Sequence, residues 1–296
     1  MSGRVLLQSM RGPFLVLTPV CVLLGVGTVV ANKAPVDWSL LILCLFGALL
    51  AHVSVNALNE YADFRSGLDL ATVRTPFSGG SGALPRHPQM ARAVLVLGVV
   101  TLFGVILVGL YFLQQHGLAL LPLGLAGLLL MVSYTGWVNR HPFICLIAPG
   151  LGFGVLMVVG TQYVLQGQYS PLSLLAAVVP FFLVNNLLLL NQYPDIEADR
   201  DAGRRHFPIT YGTATSTVVY GFFVLLTIAT IVAGVLSGYF PRLSLVALLP
   251  MSLAFYVMRG AIRHGAAIGD YPRYLGANVA VVLLTTLLLG VSLVLG

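Results

Sequence analysis

Two short stretches hold most of the acid in this chain: "NEYADFRSGLD", from Asn59, and "NQYPDIEADRDAGRR", from Asn191. Of nine Asp and Glu residues in 296, Glu60, Asp63 and Asp69 fall in the first, and Asp195, Glu197, Asp199 and Asp201 in the second. Both stretches open on N-x-Y-x-D. Helical spacing sorts their polar residues into stripes. His52, Asn56, Asn59 and Asp63 recur at i, i+4, i+7 and i+11, and Asn191, Asp195 and Asp199 at i, i+4 and i+8; each set shares one helix face. Pro194 interrupts the second stripe and is expected to kink or loosen the helix end, because it lacks a backbone donor. Facing carboxylates repel each other unless a cation lies between them. Asp and Asn oxygens, without Cys or clustered His, suit a hard ion such as Mg²⁺, which completes its shell with water and substrate phosphates. Arg65, Arg140, Arg200, Arg204 and Arg205 stand close by in sequence and suit phosphate oxygens.

The elements that must position these groups are apolar. The chain is 58% hydrophobic, only 8% charged, and carries a net charge of +6; its mean hydropathy is +0.96. A water-soluble domain carries about 25% charged residues, so the solvent expected here is a bilayer. Runs long enough to span it, about 20 residues each, fall at about 13–31, 39–58, 93–114, 118–138, 143–165, 171–191, 215–238, 243–259 and 275–295. The predicted fold is therefore all-α, a polytopic bundle of nine transmembrane helices forming one domain over 1–296. The first run is too long, and too poorly followed by a cleavage site, for a removed signal peptide. With the N-terminus in the cytoplasm, thirteen of the fifteen Lys and Arg residues fall on the cytoplasmic side, leaving only Lys33 and Arg242 outside. The basic balance is thus a topology signal, pointing to a membrane surface rather than to nucleic acid. Cys21, Cys44 and Cys145 lie in apolar runs without paired spacing and read as small core residues, not as disulfides or metal ligands.

The longest polar segments, 59–92 and 192–214, follow spans 2 and 6 and carry the two acidic stretches. Four spans separate them, which suggests a four-helix internal repeat plus one helix. Both motifs are then on the same membrane side, where they can face each other across the bundle. Paired acids, Mg²⁺ and Arg residues at the mouth of a membrane cavity imply a substrate with a diphosphate head and an apolar tail, such as a polyprenyl diphosphate.

On these motifs the chain resembles the UbiA superfamily of membrane prenyltransferases. Asn59-Glu60-Tyr61-Ala62-Asp63 resembles the family's N-D-x-x-D, with Glu60 where Asp is usual. Asp195 to Asp199, followed by Arg-Asp-Ala-Gly, resembles its D-x-x-x-D. Arg11 before "PFLVLTPVCVLLG", "SYTG" at Ser133–Gly136 and "GVLMVVGTQYV" at Gly154–Val164 resemble further family segments. Within the family, "NEYADFRSGLD" and "GVLMVVGTQYV" look most like the branch that prenylates 1,4-dihydroxy-2-naphthoate in menaquinone biosynthesis.

The resemblance implies an integral, multi-pass enzyme of a bacterial or archaeal inner membrane, with its active-site loops cytoplasmic. It implies Mg²⁺ as cofactor, held by Asn59, Glu60, Asp63, Asp195 and Asp199, with Asn56 in support. Arg11, Arg65, Arg140, Asn191 and Arg204 are the candidates for binding substrate. A polyprenyl diphosphate would ionise to an allylic cation, shielded by Tyr61, Tyr134 and Tyr193, and a small aromatic acceptor would attack it. The "GGSG" run, Gly79–Gly82, reads as the hinge of a lid over the site. No protein partner is implied. Other acceptors remain open: 4-hydroxybenzoate, a porphyrin or a glycerol phosphate. So do two other classes, an ion-coupled transporter, which would place its acids near the bilayer midplane, and a non-catalytic membrane assembly factor.

Overall fold

The computed structural model describes residues 2–296, and its regular structure is helical throughout. A short amphipathic helix, α1 (Ser2–Ser9), precedes the membrane bundle. The long helices are α2 (Leu17–Ala31), α3 (Trp38–Arg65) and α4 (Ala91–His116), then the shorter α5 (Leu121–Ser133). Next come α6, a composite over Pro142–Gln166, and α7 (Pro171–Asn191). A six-residue helix, α8 (Ile196–Asp201), leads to α9 (Phe207–Leu236), α10 (Met251–His264) and α11 (Pro272–Leu295).

Local signals set most of the boundaries. Asp37 caps α3, its carboxylate accepting from the backbone N–H of Ser39 at 2.8 Å and of Leu40 at 3.1 Å. Pro lies in the first turn of α5, α6, α7, α9 and α11, where its missing N–H costs nothing. The expected span at 215–238 starts earlier, because α9 runs back to Phe207 across a non-helical break at Gly212. The first acidic motif belongs to the last turns of α3, which continues to Arg65, so the connecting loop starts only at Ser66.

Eight helices, rather than nine, are long and apolar enough to cross a membrane among the described residues. The segment expected at 118–138 is a shorter apolar helix, Leu118–Ser133. It ends in a tight turn, where the N–H groups of Trp137 and Asn139 bond back to Ser133 and Tyr134 carbonyls.

The bundle has a dense half and an open half. α7 is the most buried span, packed against α6, α9, α11 and α2. Its Leu183, Val184, Leu189 and Leu190 are almost wholly enclosed. Opposite, α3 and α4 pack on each other and turn Ile42, Phe46, Val96, Val100 and Phe103 outward as lipid-facing surface. The middle of α6 (Leu151–Val159) is π-helical, a local widening of the helix often found beside functional sites. It lies tight on α7: a Cβ at Gly154 would stand 2.5 Å from the Phe181 nitrogen and 2.9 Å from the Ala177 carbonyl. Gly154→Val must therefore force α6 and α7 apart, at a cost of about 1–3 kcal/mol. Thermal-shift chromatography of the detergent-solubilised protein should show a lower midpoint than wild type.

Candidate active site

A cavity of about 600 Å³ lies between the two halves. One end is polar, built from the last turns of α3, the connection between α7 and α8, and the chain leading into α9. The rest is lined by apolar residues of α3 to α6, among them Ala48, Val105, Leu125 and Leu156. The stripe read on α3 is confirmed along its whole length: His52, Asn56, Asn59 and Asp63 all line the cavity. His52 sits deepest, its Nδ1 2.9 Å from the Thr18 hydroxyl and its ring edge-on to Phe153 at 4.7 Å. Asn56 donates to the Met10 carbonyl at 2.9 Å, and Asn59 to the Thr135 hydroxyl at 3.3 Å.

Asn191, Asp195 and Asp199 also line the cavity, but not as one continuous helix. α7 stops at Asn191, the chain turns through Pro194, and α8 resumes at Ile196. The loosening expected of Pro194 is a complete helix stop, and it still leaves all three residues facing inward.

Arg204 closes the mouth. Its guanidinium bonds Asp63 on one side and, at 2.9 Å, Asp199 on the other. The second oxygen of Asp199 lies 2.6 Å from His206 Nε2. Burial works against the charge of Arg204, but Asp63 and Asp199 outweigh it and push its pKa above the ordinary arginine range. Asp195 is pushed up to about 7, first by burial and then by Asp199. Burial, then Glu60 and Asp63, likewise raise Asp69 to about 7. Arg11 stands opposite in a left-handed backbone conformation, φ 53°. Its guanidinium is 3.5 Å from Asn59 Oδ1 and 3.8 Å from Glu60 Oε2.

Some expected residues lie elsewhere. Arg65 and Arg140 are exposed and do not line the cavity. Two residues beyond Asp63 on a helix is about 200° of rotation, which carries Arg65 to the opposite face. In the turn Val138–Arg140 it is Asn139 that points inward, buried and lining the cavity. Of the three tyrosines read as cation shields, Tyr134 alone lines it. Tyr193 is wholly buried, its hydroxyl 2.9 Å from that of Thr217, and Tyr61 packs beside Leu84 and Val94. Glu60 is fully buried but turned towards Ser81 rather than into the cavity. Asn139 went unread because nothing in "WVNRHP" separates it from Arg140 except the turn.

Could these groups hold a metal ion? Among the described residues no three acidic, His or Cys side chains converge into a ready cage, because Arg204 occupies the gap between Asp63 and Asp199. Yet Asn191 Oδ1, Asp195 Oδ1, Asp69 Oδ2 and Asn139 Oδ1 are buried without a hydrogen-bond partner. Unsatisfied hard oxygens beside paired carboxylates fit a divalent ion of the Mg²⁺ type.

A polar mouth of acids and Arg over an apolar chamber inside a helical membrane bundle defines a class of protein, the membrane enzymes that act on amphiphiles with an anionic head. Residues 18–274 match the UbiA prenyltransferase family, and the chain belongs to that family of prenyl-transferring enzymes. It is 31% identical over 71% of its length to a 1,4-dihydroxy-2-naphthoate octaprenyltransferase from Bacillus subtilis, covering 67% of that relative. Among solved structures, a ligand-free UbiA homologue from Aeropyrum pernix superposes with a TM-score of 0.70 at 17% identity, over 92% of this chain and 95% of that one. A UbiA homologue from Archaeoglobus fulgidus bound to GPP and Mg²⁺ superposes with a TM-score of 0.60 at 14% identity, over 94% and 99%. Both share the fold.

Removing the bridging cation should expose the repulsion it masks. Arg204→Gln leaves Asp63 and Asp199 facing each other and should cost about 3–5 kcal/mol, the range for a broken buried ion pair. Thermal unfolding in detergent reads the loss, and millimolar Mg²⁺ should restore part of it in this variant.

Proposed function

We propose that this chain transfers a polyprenyl group from an isoprenoid diphosphate to an aromatic acceptor, 1,4-dihydroxy-2-naphthoate or a related quinone precursor. One observation carries the reading: the site joins an anion-binding mouth to an apolar chamber, so a single ligand must be charged at one end and greasy at the other. The naphthoate prenyltransferase from Bacillus subtilis supports the acceptor class. The excess of Arg at the mouth's end of the bundle supports a cytoplasmic site in a cell membrane.

In this reading Asn59, Asp63, Asp195 and Asp199 would hold Mg²⁺, with Asn191 beside them. When bound, the ion would supply positive charge to the oxygens of the leaving diphosphate. Arg204 and Arg11 add fixed positive charge aimed at the same oxygens, where negative charge grows as the allylic C–O bond breaks. The chamber holds the prenyl tail among apolar side chains and keeps water from the cation. Tyr134, which lines the cavity, would offer its ring to that cation.

Purified protein incubated with Mg²⁺, radiolabelled farnesyl or geranylgeranyl diphosphate and a panel of aromatic acids should yield prenylated product, with the naphthoate preferred. Asp63→Asn and Asp195→Asn should each lower turnover by about a hundredfold or more, the scale of losing one transition-state electrostatic contact. Asp201→Asn, at an exposed position, should stay close to wild type. Product formation that survives the Asp63 or Asp195 change would refute the ligand assignment; no product with any acceptor would refute the activity.

A further inference from the structure

Glu60 matches a family metal motif, yet the structure gives its carboxylate another task. It is wholly buried. One oxygen accepts the Ser81 N–H at 3.1 Å, and the other accepts the Ser81 hydroxyl. That hydroxyl in turn accepts the Ala83 N–H at 3.0 Å. Two residues earlier, the Gly79 N–H donates to Asp195 at 3.0 Å. Residues 78–82 are therefore tied to the first acidic motif through Glu60 and to the second through Asp195, and they cross the mouth between them.

The shape of this strap depends on its glycines. Gly79, Gly80 and Gly82 have φ of 78°, 70° and 64°, and a Cβ at Gly80 would stand 2.6 Å from Asp69 Oδ1. The side chain of Arg74 lies over the outside and donates to the Ser81 carbonyl at 3.0 Å. The strap also divides two spaces. On its inner side is the catalytic chamber; on its outer side is a groove of about 510 Å³ between residues 7–14 and 75–81. Phe77, Ser78 and Gly80 border both. Ser81 borders only the groove, so its bond to Glu60 is the pin that keeps the two spaces apart.

We propose that Glu60 is a positioning residue that acts through Ser81: it holds the 78–82 strap shut over the mouth and does not bind metal. The role rests on the prenyl-transfer reading above. When the allylic C–O bond breaks, diphosphate leaves with the bonding pair and C1 becomes electron-deficient. With the strap shut, a ring carbon of the acceptor supplies the new pair to C1 and then loses its proton. With the strap open, a water oxygen supplies the pair and loses a proton instead, and the product is the free prenyl alcohol. The strap thus sets the ratio of transfer to hydrolysis.

The test uses the full-length protein in detergent, wild type and the variants Ser81→Ala, Ser81→Thr and Glu60→Ala, with two readouts. Trypsin cleavage after Arg74 reports strap opening, since the protease must lift that side chain off the strap. It should run about tenfold faster in Ser81→Ala and Glu60→Ala, as expected when a charge-assisted hydrogen bond is lost, and near wild type in Ser81→Thr, which keeps the hydroxyl. In turnover with farnesyl diphosphate and acceptor, the alcohol fraction should rise in the same two variants, with the Mg²⁺ half-saturation unchanged. The double variant should be no worse than either single one. The proposal is overturned if Ser81→Ala matches wild type in both readouts, or if Glu60→Ala raises the Mg²⁺ half-saturation while Ser81→Ala does not. Should Glu60→Ala fail to fold, Ser81→Ala, which deletes one hydroxyl, decides alone. If wild type makes neither product nor alcohol, the prenyl-transfer reading fails, while the proteolysis still reports the pin.

Discussion

The guanidinium of Arg204 lies between Asp63 and Asp199, and the geometry of the whole site depends on it. Two carboxylates cannot share a buried space without a counter-charge, and these two come from opposite halves of the bundle. The bridge draws the end of α3 towards α8 and sets the approach of the open half to the dense half. Around it the other partners fall into place, with His206 on the free oxygen of Asp199 and Asp195 behind it, bonded to the strap. Arg204 also fills the place expected of a cation between the two carboxylates. One side chain therefore ties the two acidic motifs together.

The two halves of the bundle divide the labour. α2, α6, α7, α9 and α11 pack densely and hold the second motif still. α3, α4 and α5 contribute the chamber's other wall and spend much of their surface on lipid. A chamber inside a fully packed bundle would need side chains removed from a core, with the cavity cost that entails. Here the space lies where two units meet, and small residues on α3, Gly47, Ala48 and Ala51, border it directly.

Periodicity made the α3 stripe legible, because His52 to Asp63 lie on an unbroken helix and rotation alone decides which way each points. The same rule applied to Arg65 would have placed it on the outer face; proximity in sequence to Asp63 was the misleading signal. The second motif was readable in part. Its spacing put Asn191, Asp195 and Asp199 together, but the helix they were read on does not exist, and the turn at Pro194 reaches the same result by another path. Arg140 and Asn139 could not be told apart, since they are adjacent in a turn whose direction is set by tertiary packing. The role of Glu60 lay furthest from reach: its partner is twenty-one residues away, in a glycine-rich stretch with no periodicity to point it anywhere.

The shortness of α5 has a consequence for the surrounding lipid. With the turn before it, its apolar stretch runs over Leu118–Ser133 and rises roughly 24 Å at about 1.5 Å per residue, against a hydrocarbon thickness of about 30 Å. A stretch this short is matched by local thinning of the bilayer or by flanking side chains that reach to the interface. Thinning would compress the acyl chains there and bring the headgroups deeper. α5 is also a wall of the chamber, so any such pinch would fall beside its apolar part. An amphiphile on that side would then carry its head across a shorter vertical distance.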